Sequence, residues 1–366
     1  MSVSYGGDSI VFADGSVNSS GFIGHRNRII NGAMMVDQRN AGASVTPAAH
    51  AYTLDRWLAN LTAASKFSVA QSTVVPAGFT NSVLLTSTSA YSIVAGDYNA
   101  FQHRIEANNM MDAGWGTANA QTFTLSFWVR SSLTGTFGGS LYFPASTTRT
   151  FPFSYVINSA NTWEQKSIII TGDTATNTAP TGNSLHVIVQ WALGVGSTYT
   201  TATTGWQSGN FGSPTGCTNL IATNGANLYL TGVQLERGST ASSFEYRSYG
   251  AELALCQRYF TKSQTAGNAV GAADGQNLLA WYAVNTAVLA GWASHKVSMR
   301  TAPTITIYRQ DGTINATNRF TDGAAVTGTT TCPEPGIEGF RYVSNASSGF
   351  TAGTYYQFYY VASAEL

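Results

Sequence analysis

The residue types that carry chemistry are present in this chain, but their spacing does not assemble a familiar reactive site. The five histidines, His25, His50, His103, His186 and His295, include no pair at the i, i+4 spacing of a helical metal site. Cys217, Cys256 and Cys332 are odd in number and far apart, so they indicate neither a disulfide framework nor a zinc knuckle and read as free thiols. No GxSxG elbow, HExxH helix or GxxxxGK[ST] loop occurs. The 18 acids could in principle supply a glycosidase pair, which needs only a separation of ~5 to 9.5 Å in the fold. Most of them, however, sit in turns (Asp14, Asp97, Asp112, Asp173, Asp311, Asp322) or beside an arginine, as Glu236 does with Arg237 and Glu245 with Arg247. This pattern argues against an enzyme and calls for no cofactor. A structural calcium held by asparagine-rich turns and Glu236 is the one metal reading left open, without a dense carboxylate loop behind it.

Binding is the better fit. Sugar recognition needs aromatic faces to stack on the C–H surface of a ring, with amides or hydroxyls to read its hydroxyl groups. Loop positions offer Tyr91, Trp115, Tyr199 and Trp206, flanked by Asn99, Asn119, Gln207 and Asn210, and further along the chain come Trp281, Tyr282 and Trp292. Trp206 is favoured, because STYTTATTGWQSGNFGSPTG is a long polar loop with little else to hold an indole. Asp55 and Arg56, in YTLDRW, could touch sugar, but adjacent opposite charges beside a tryptophan read first as a structural pair at a sheet corner.

Composition says what must position these groups. Net charge is +0 and charged residues are 10% of the 366, against ~25% in an average soluble domain, so there is no basic field for nucleic acid. The 37 glycines and 12% aromatics, with many Thr and Val, point to an all-β protein with tight turns. Strand-like segments fall at 66–69, 83–87, 98–105, 123–130, 140–143, 149–156, 164–171, 184–193 and 228–235, punctuated by Gly, Pro, Ser and Asn and without βαβ alternation, as in a sandwich or jelly roll. In TFTLSFWVR, Phe123, Leu125, Phe127 and Val129 share a core face, which leaves Trp128 on the polar face for a neighbouring chain or a ligand. Ile29-Ile30-Asn31-Gly32 reads as a strand running into a turn, with a second short strand from Met34. The start, MSVSYGGDSI, lacks the basic and apolar regions of a signal peptide, and the segment 278–293 is too short and interrupted for the ~18 to 20 residues of a membrane span, so synthesis in a cytoplasm and no membrane insertion are expected.

From Tyr249 the period changes: Leu253, Cys256, Gln257 and Phe260 fall at i, i+3, i+4 and i+7, one face of a short helix. Beyond it, 278–284 and 287–293 read as two strands meeting at Asn285-Thr286, with a buried helix as the alternative that periodicity leaves open, Thr304, Thr306 and Tyr308 alternate with Ile305 and Ile307, and Asp311-Gly312 marks a hairpin turn. The ending TYYQFYYVASAEL puts Tyr356, Phe358 and Tyr360 on one side and Tyr355, Gln357, Tyr359 and Val361 on the other. Aromatics on both faces call for both to be covered, as at a subunit interface. The expected organisation is a short N-terminal segment (1–26), a large jelly-roll β-sandwich (27–247), a linker helix (248–260) and a C-terminal β-sandwich (261–366).

Several of these stretches resemble bacteriophage proteins. SIVFADGSVNSS is similar to the IxFxDGSxxS pieces near the start of phage fibre proteins, where they belong to the attachment region. NRIINGAMMVDQR followed by YTLDRW resembles the opening of a domain that recurs in phage tail and fibre proteins, and more loosely the jelly-roll carbohydrate-binding modules. HRIEANN, WGTANAQTFTLSFWVRSS, TWEQKSIIITGDT, LYLTGVQLERG, FEYRSYGAELALCQRYF and MRTAPTIT then follow in the order of those phage proteins. The resemblance implies a virion fibre or receptor-binding protein, a homotrimer that docks on other virion proteins through its N-terminal segment and binds host surface glycan. Trimer contacts are expected at Leu253, Cys256 and Phe260 of the helix and at Tyr356, Phe358 and Tyr360 of the last strand. A purely architectural capsid or collar fibre, a glycan depolymerase and a bacterial lectin are the other readings.

Overall fold

The computed structural model describes residues 26–273, 277–326 and 328–366, together with the backbone of three short antiparallel strands, Ser4–Gly6, Ser9–Val11 and Val17–Asn18. The expected turn at Asp14-Gly15 and the side chains of residues 1–25 lie outside the described residues.

Eleven strands and the two-residue strand Gln207–Ser208 build the larger sandwich: β1 (Ala51–Leu54), β2 (Trp57–Asn60), β3 (Phe67–Ser72), β4 (Ser82–Ser87), β5 (Tyr98–Glu106), β6 (Phe123–Ser131), β7 (Gly135–Phe143), β8 (Arg149–Ile157), β9 (Glu164–Ile170), β10 (Leu185–Val195) and β11 (Asn227–Arg237). A seven-stranded sheet runs Gln207–Ser208, β8, β7, β10, β5, β2, β1, and a five-stranded sheet runs β9, β6, β11, β4, β3. The chain crosses repeatedly between the two, as a jelly roll does. Alternation decides which side chains face inward. Phe123, Leu125, Phe127 and Val129 of β6 are all 0% exposed, and the Phe127 ring meets Trp191 of β10 edge-on at 5.4 Å, joining the sheets. Each such burial contributes ~1.5 to 3 kcal/mol. Trp128, on the opposite face, is half-buried beside Gly232, where Phe79 of its own chain also lies.

Residues 27–38 form no strand. They make a wedge of turns in which Asn31 (φ 59°) and Met34 (φ 56°) are left-handed, a conformation asparagine tolerates. The Asn31 side chain donates to the carbonyls of Val36 (2.8 Å) and Asp55 (3.0 Å) and accepts from the Val36 amide (3.0 Å), so local side-chain bonds replace a ladder. The wedge reaches β11, where the Val233 amide donates to the Gly32 carbonyl at 2.9 Å.

The helix α1 (Tyr249–Gln257) begins at Ser248, whose hydroxyl accepts from the Ala251 amide. Cys256 and Tyr259 are 0% exposed and pack with Ile30 and Val36 of the wedge, with Leu253 partly buried against them. Phe260, expected on the helix face, opens the next strand instead, β12 (Phe260–Lys262). The helix therefore buries its apolar face in its own chain.

Beyond it lie β13 (Leu279–Ala283), β14 (Val288–Ser294), β15 (Thr304–Tyr308), β16 (Gly339–Asn345) and β17 (Tyr355–Ser363). The last strand is central: its C-terminal half pairs with β12 and β15, and its N-terminal half with β13 and with Asn318–Arg319. Tyr356, Phe358 and Tyr360, at 1%, 0% and 3% exposure, fill a core with Trp281, Ile307 and Phe340. The covering of this face, expected from a subunit interface, comes from the same chain.

Asp55 and Arg56 are structural, but they do not pair with each other. Arg56 occupies the β1–β2 turn at φ 69°, binds Glu365 and the Arg104 carbonyl, and lies over the Tyr259 ring at 3.6 Å. Asp55 accepts from the Gln38 amide and side chain, both at 2.6 Å. Burial pushes its carboxyl up to about 6, against the pull of Arg39 and Gln38. Glu365 also takes Arg39 at 2.6 Å, so the end of the chain bridges two arginines of the larger sandwich.

Candidate functional site

The outer face of the seven-stranded sheet carries a groove of 380 Å³. Its floor follows from strand alternation. On β5, Phe101, His103 and Ile105 face the core, which turns Tyr98, Gln102 and Arg104 outward; on β10, Val187, Val189 and Trp191 face inward and Ile188 and Gln190 outward. Register then places Gln102 opposite Gln190 and Gln190 opposite Ser140 of β7, and in the next row Arg104 opposite Ile188 and Ile188 opposite Tyr142. Asn60 closes one side from β2, Leu185 stands at the start of β10, Tyr199 ends a short 3-10 turn, and Pro144 and Asn210 come from loops.

The floor is polar and buried. Gln102, Gln190 and Tyr98 are 2%, 1% and 8% exposed. The Gln102 side chain donates to Gln190 Oε1 at 2.6 Å, and Gln190 Nε2 donates to Ser140 Oγ at 2.6 Å and to the Tyr98 hydroxyl at 2.5 Å. Gln102 Oε1 is buried with no hydrogen-bond partner among the described residues. Burial raises the Tyr98 phenol, keeping it neutral as donor and acceptor. The walls are half-buried Tyr142 and Tyr199, the latter edge-on to Tyr98 at 5.1 Å, with Asn210 exposed at the rim. Arg104 is the one charged lining residue, and its Nη1 donates to the Leu366 carbonyl at 2.6 Å. Among the described residues no Asp, Glu, His or Cys lines the groove, which offers hydroxyl-reading amides and phenols beside aromatic faces.

Of the residues anticipated for sugar contact, the structure brings Tyr199 and Asn210 into this groove. Trp206 instead caps the core: its Nε1 donates to the Thr171 carbonyl at 2.6 Å, and its ring meets Trp115 and Phe151 at 5.0 and 5.5 Å. Trp115 is 1% exposed beneath it. Gln207 pairs with Thr150 at the sheet edge and spends its side chain on Thr201 and Thr203. Tyr91 lies under Lys66, 4.8 Å from the ring centre, and its hydroxyl reaches Asp97 at 3.4 Å. Asn99 is buried against the Gly194 carbonyl, Asn119 is exposed apart from the groove, and Trp281 is core, whereas Tyr282 and Trp292 are 43% and 59% exposed. Gln102, Gln190 and Tyr142 were not anticipated. Their signal was a polar or phenolic residue at the outward register of strands that otherwise read as apolar.

The other charged groups singled out in the sequence find local partners. Glu236 is filled by Ser242, Gln234 and Arg26, the last at 3.2 Å, while Arg237 turns to Gln121. Glu245 and Arg247 do pair, at 3.4 Å. Among the described residues no group of three His, Cys, Asp or Glu could hold a metal ion, and no helix is long and apolar enough to cross a membrane.

No protein-family model and no curated protein matches the sequence. Solved structures similar to this chain include the enzymatically active domain of tailspike protein 4 from bacteriophage CBA120, at 14% identity over 58% of this chain and 22% of that one, TM-score 0.34. A protein designated sugar-binding from Bacteroides thetaiotaomicron matches at 13% identity over 58% of this chain and 100% of its own, TM-score 0.33. A family 4 carbohydrate-binding module matches at 14% identity over 46% and 89%, TM-score 0.26. The chain thus spans about a fifth of the tailspike domain's length.

Proposed function

We propose that this protein is a non-enzymatic, glycan-binding component of a bacteriophage fibre, and that the groove on the seven-stranded sheet holds the glycan. The observation that carries the binding role is Gln102 Oε1, an acceptor buried in the floor without a partner, between half-buried tyrosine walls. A buried, unmatched acceptor costs ~1 to 3 kcal/mol, and a sugar hydroxyl would supply its donor once the Gln102 side chain, 2% exposed, turns toward the groove. Tyr142 and Tyr199 offer ring faces for the sugar's C–H surface. The absence of a carboxylate from the lining supports binding without cleavage. The virion role rests on the fibre-like motifs, from SIVFADGSVNSS to FEYRSYGAELALCQRYF, and with it come the docking role of residues 1–26, the sandwich at 27–247 as the binding domain, and trimer assembly. Trimer contacts then use surfaces other than Leu253, Cys256, Phe260, Tyr356, Phe358 and Tyr360, which their own chain engages.

The test is titration of the purified full chain with host surface polysaccharide, alongside Tyr142→Ala and Gln102→Ala. Binding that weakens fivefold or more in both variants, with no release of reducing ends, is the expected result. Unchanged binding in both variants removes the groove, and reducing-end release removes the non-enzymatic reading.

A further inference from the structure

The C-terminal sheet presents a second surface, unconnected with the groove. Register fixes its outward row: Tyr282 of β13 lies opposite Tyr355 of β17 on one side and Ala290 of β14 on the other, and Ala290 lies opposite Tyr342 of β16. The inward partners, Trp281, Tyr356, Leu289 and Val343, are core, which turns this row to the outside. Phe320, whose amide donates to the Tyr355 carbonyl at 2.9 Å, extends the row by one strand. Phe320, Tyr355 and Tyr282 are 58%, 53% and 43% exposed, with Tyr342 half-buried, and Tyr282 and Tyr355 meet edge-on at 5.4 Å. A register shift between Ala290 and Ala293 brings Trp292 out beside the row. Of the eight tryptophans it alone is exposed, at 59%.

We infer that this strip is a binding platform for an extended, neutral glycan chain. Neighbouring strands lie ~4.8 Å apart, close to the length one β-linked pyranose adds to an extended chain, so successive rings of the row can meet successive sugars. Ala290 leaves a recess between Tyr282 and Tyr342. The charges at its borders are spent on each other, Arg319 on Asp322 at 3.1 Å and Arg341 on Glu334 at 3.3 Å, which favours an uncharged ligand. Area argues against a second protein chain as the occupant. Side chains of ~150 to 250 Å² each, about half exposed, offer ~500 Å² in all, below the ~800 Å² per partner of a standard protein interface.

The experiment uses the full chain with the groove disabled by Tyr142→Ala, so that the two sites are read separately. The probes are neutral β-1,4-linked gluco-, galacto- and manno-oligosaccharides, followed by calorimetry and by the fluorescence of exposed Trp292. The platform predicts that at least one series still binds this variant, shifts its emission, and loses tenfold or more in affinity when Tyr282→Ala and Trp292→Ala are added, with no change in sedimenting mass. It is overturned if no series binds the Tyr142→Ala chain, if the added substitutions leave binding unchanged, or if they alter the sedimenting mass, since the strip would then be covered by a second copy. If Tyr142→Ala leaves total binding intact while the platform substitutions abolish it, the groove reading fails and this one stands.

Discussion

Gln102 and Gln190 face each other across neighbouring strands and share a single amide hydrogen bond, Gln102 Nε2 to Gln190 Oε1 at 2.6 Å, which leaves Gln102 Oε1 buried and unmatched. The pair is satisfied on the Gln190 side, through Ser140 and Tyr98, and open on the Gln102 side. Gln102→Leu removes the open acceptor but also takes the donor from Gln190 Oε1, so one unmatched buried acceptor replaces another and the stability falls by about the worth of the lost hydrogen bond, ~1 kcal/mol. Glycan affinity falls by the worth of a buried hydrogen bond, ~1 to 2 kcal/mol, or roughly five- to thirtyfold. Calorimetric titration beside thermal unfolding separates the two effects.

Arg56 is 1% exposed and holds Glu365, the Arg104 carbonyl and the Tyr259 ring at once. Arg56→Ala leaves Glu365, whose side chain is 7% exposed, with Arg39 alone and opens a gap under Tyr259. Loss of one partner of a buried pair costs ~3 to 5 kcal/mol. Arg309→Ala breaks a pair whose partners are 25% and 51% exposed and changes stability by no more than ~1 kcal/mol. Urea denaturation of the two variants should rank them in that order.

Acidification acts on buried neutral histidines first. Burial pushes His186, which is 2% exposed, down to about 4, and burial together with Arg56 pushes His103 well below its ordinary range. The unfolded chain binds these protons near pH 6.5 and the folded chain does not, so stability present above that pH is lost as pH falls toward about 4. Asp55 works in the other direction: its folded value, raised to about 6, means that the folded state takes up a proton first and gains stability on acidification through that range. With two histidines against one carboxyl, the net expectation is a loss. His186→Leu should flatten it, recovering up to ~3 kcal/mol at about pH 4 relative to the parent, measured as denaturation midpoints at about pH 7 and about pH 4.

The strands were readable because alternation and turn residues agree along them: the segment expected at 98–105 is Tyr98–Glu106, and that at 149–156 is Arg149–Ile157. The wedge at 27–38 was not, because its structure comes from one asparagine side chain bonding residues 5 and 24 positions away, which no local period records. Trp206 misled for a related reason. Its loop is polar in sequence, but the fold lays the indole over Trp115 and Phe151, and only the third dimension supplies that apolar bed. Gln102 and Gln190 were hidden by the burial of a face that alternation alone assigns to solvent.

Gly32 carries the contact between the wedge and β11 through its backbone. A Cβ there would stand 2.2 Å from the Val233 carbonyl oxygen, and that oxygen also accepts from Asn27 Nδ2 at 3.0 Å. Gly32→Ala must therefore push the wedge off the strand, at a cost of ~1 to 3 kcal/mol for overpacking, with further loss as the Val233 amide bond to the Gly32 carbonyl lengthens. Gly96→Ala, where nothing lies within 4 Å, serves as the control and should be nearly neutral. Amide exchange at Val233 should speed up in the first variant and stay unchanged in the second.

Cys256 decides between a helix that packs about an oligomer axis and one that closes its own chain. Its thiol is fully buried beside Ile30, Val36 and Tyr259, and burial, reinforced by Asp55 and Glu252, raises it well above the ordinary thiol range. Cys256→Asp places a carboxylate in that apolar nest, close to the acids at 55 and 252 and to Arg56. A buried charge without a dedicated partner is strongly destabilising, by ~3 kcal/mol or more. Because the nest belongs to one chain, the expected outcome is a lower unfolding midpoint with unchanged sedimenting mass under native conditions. Dissociation of an oligomer at constant chain stability would instead put this helix face between subunits.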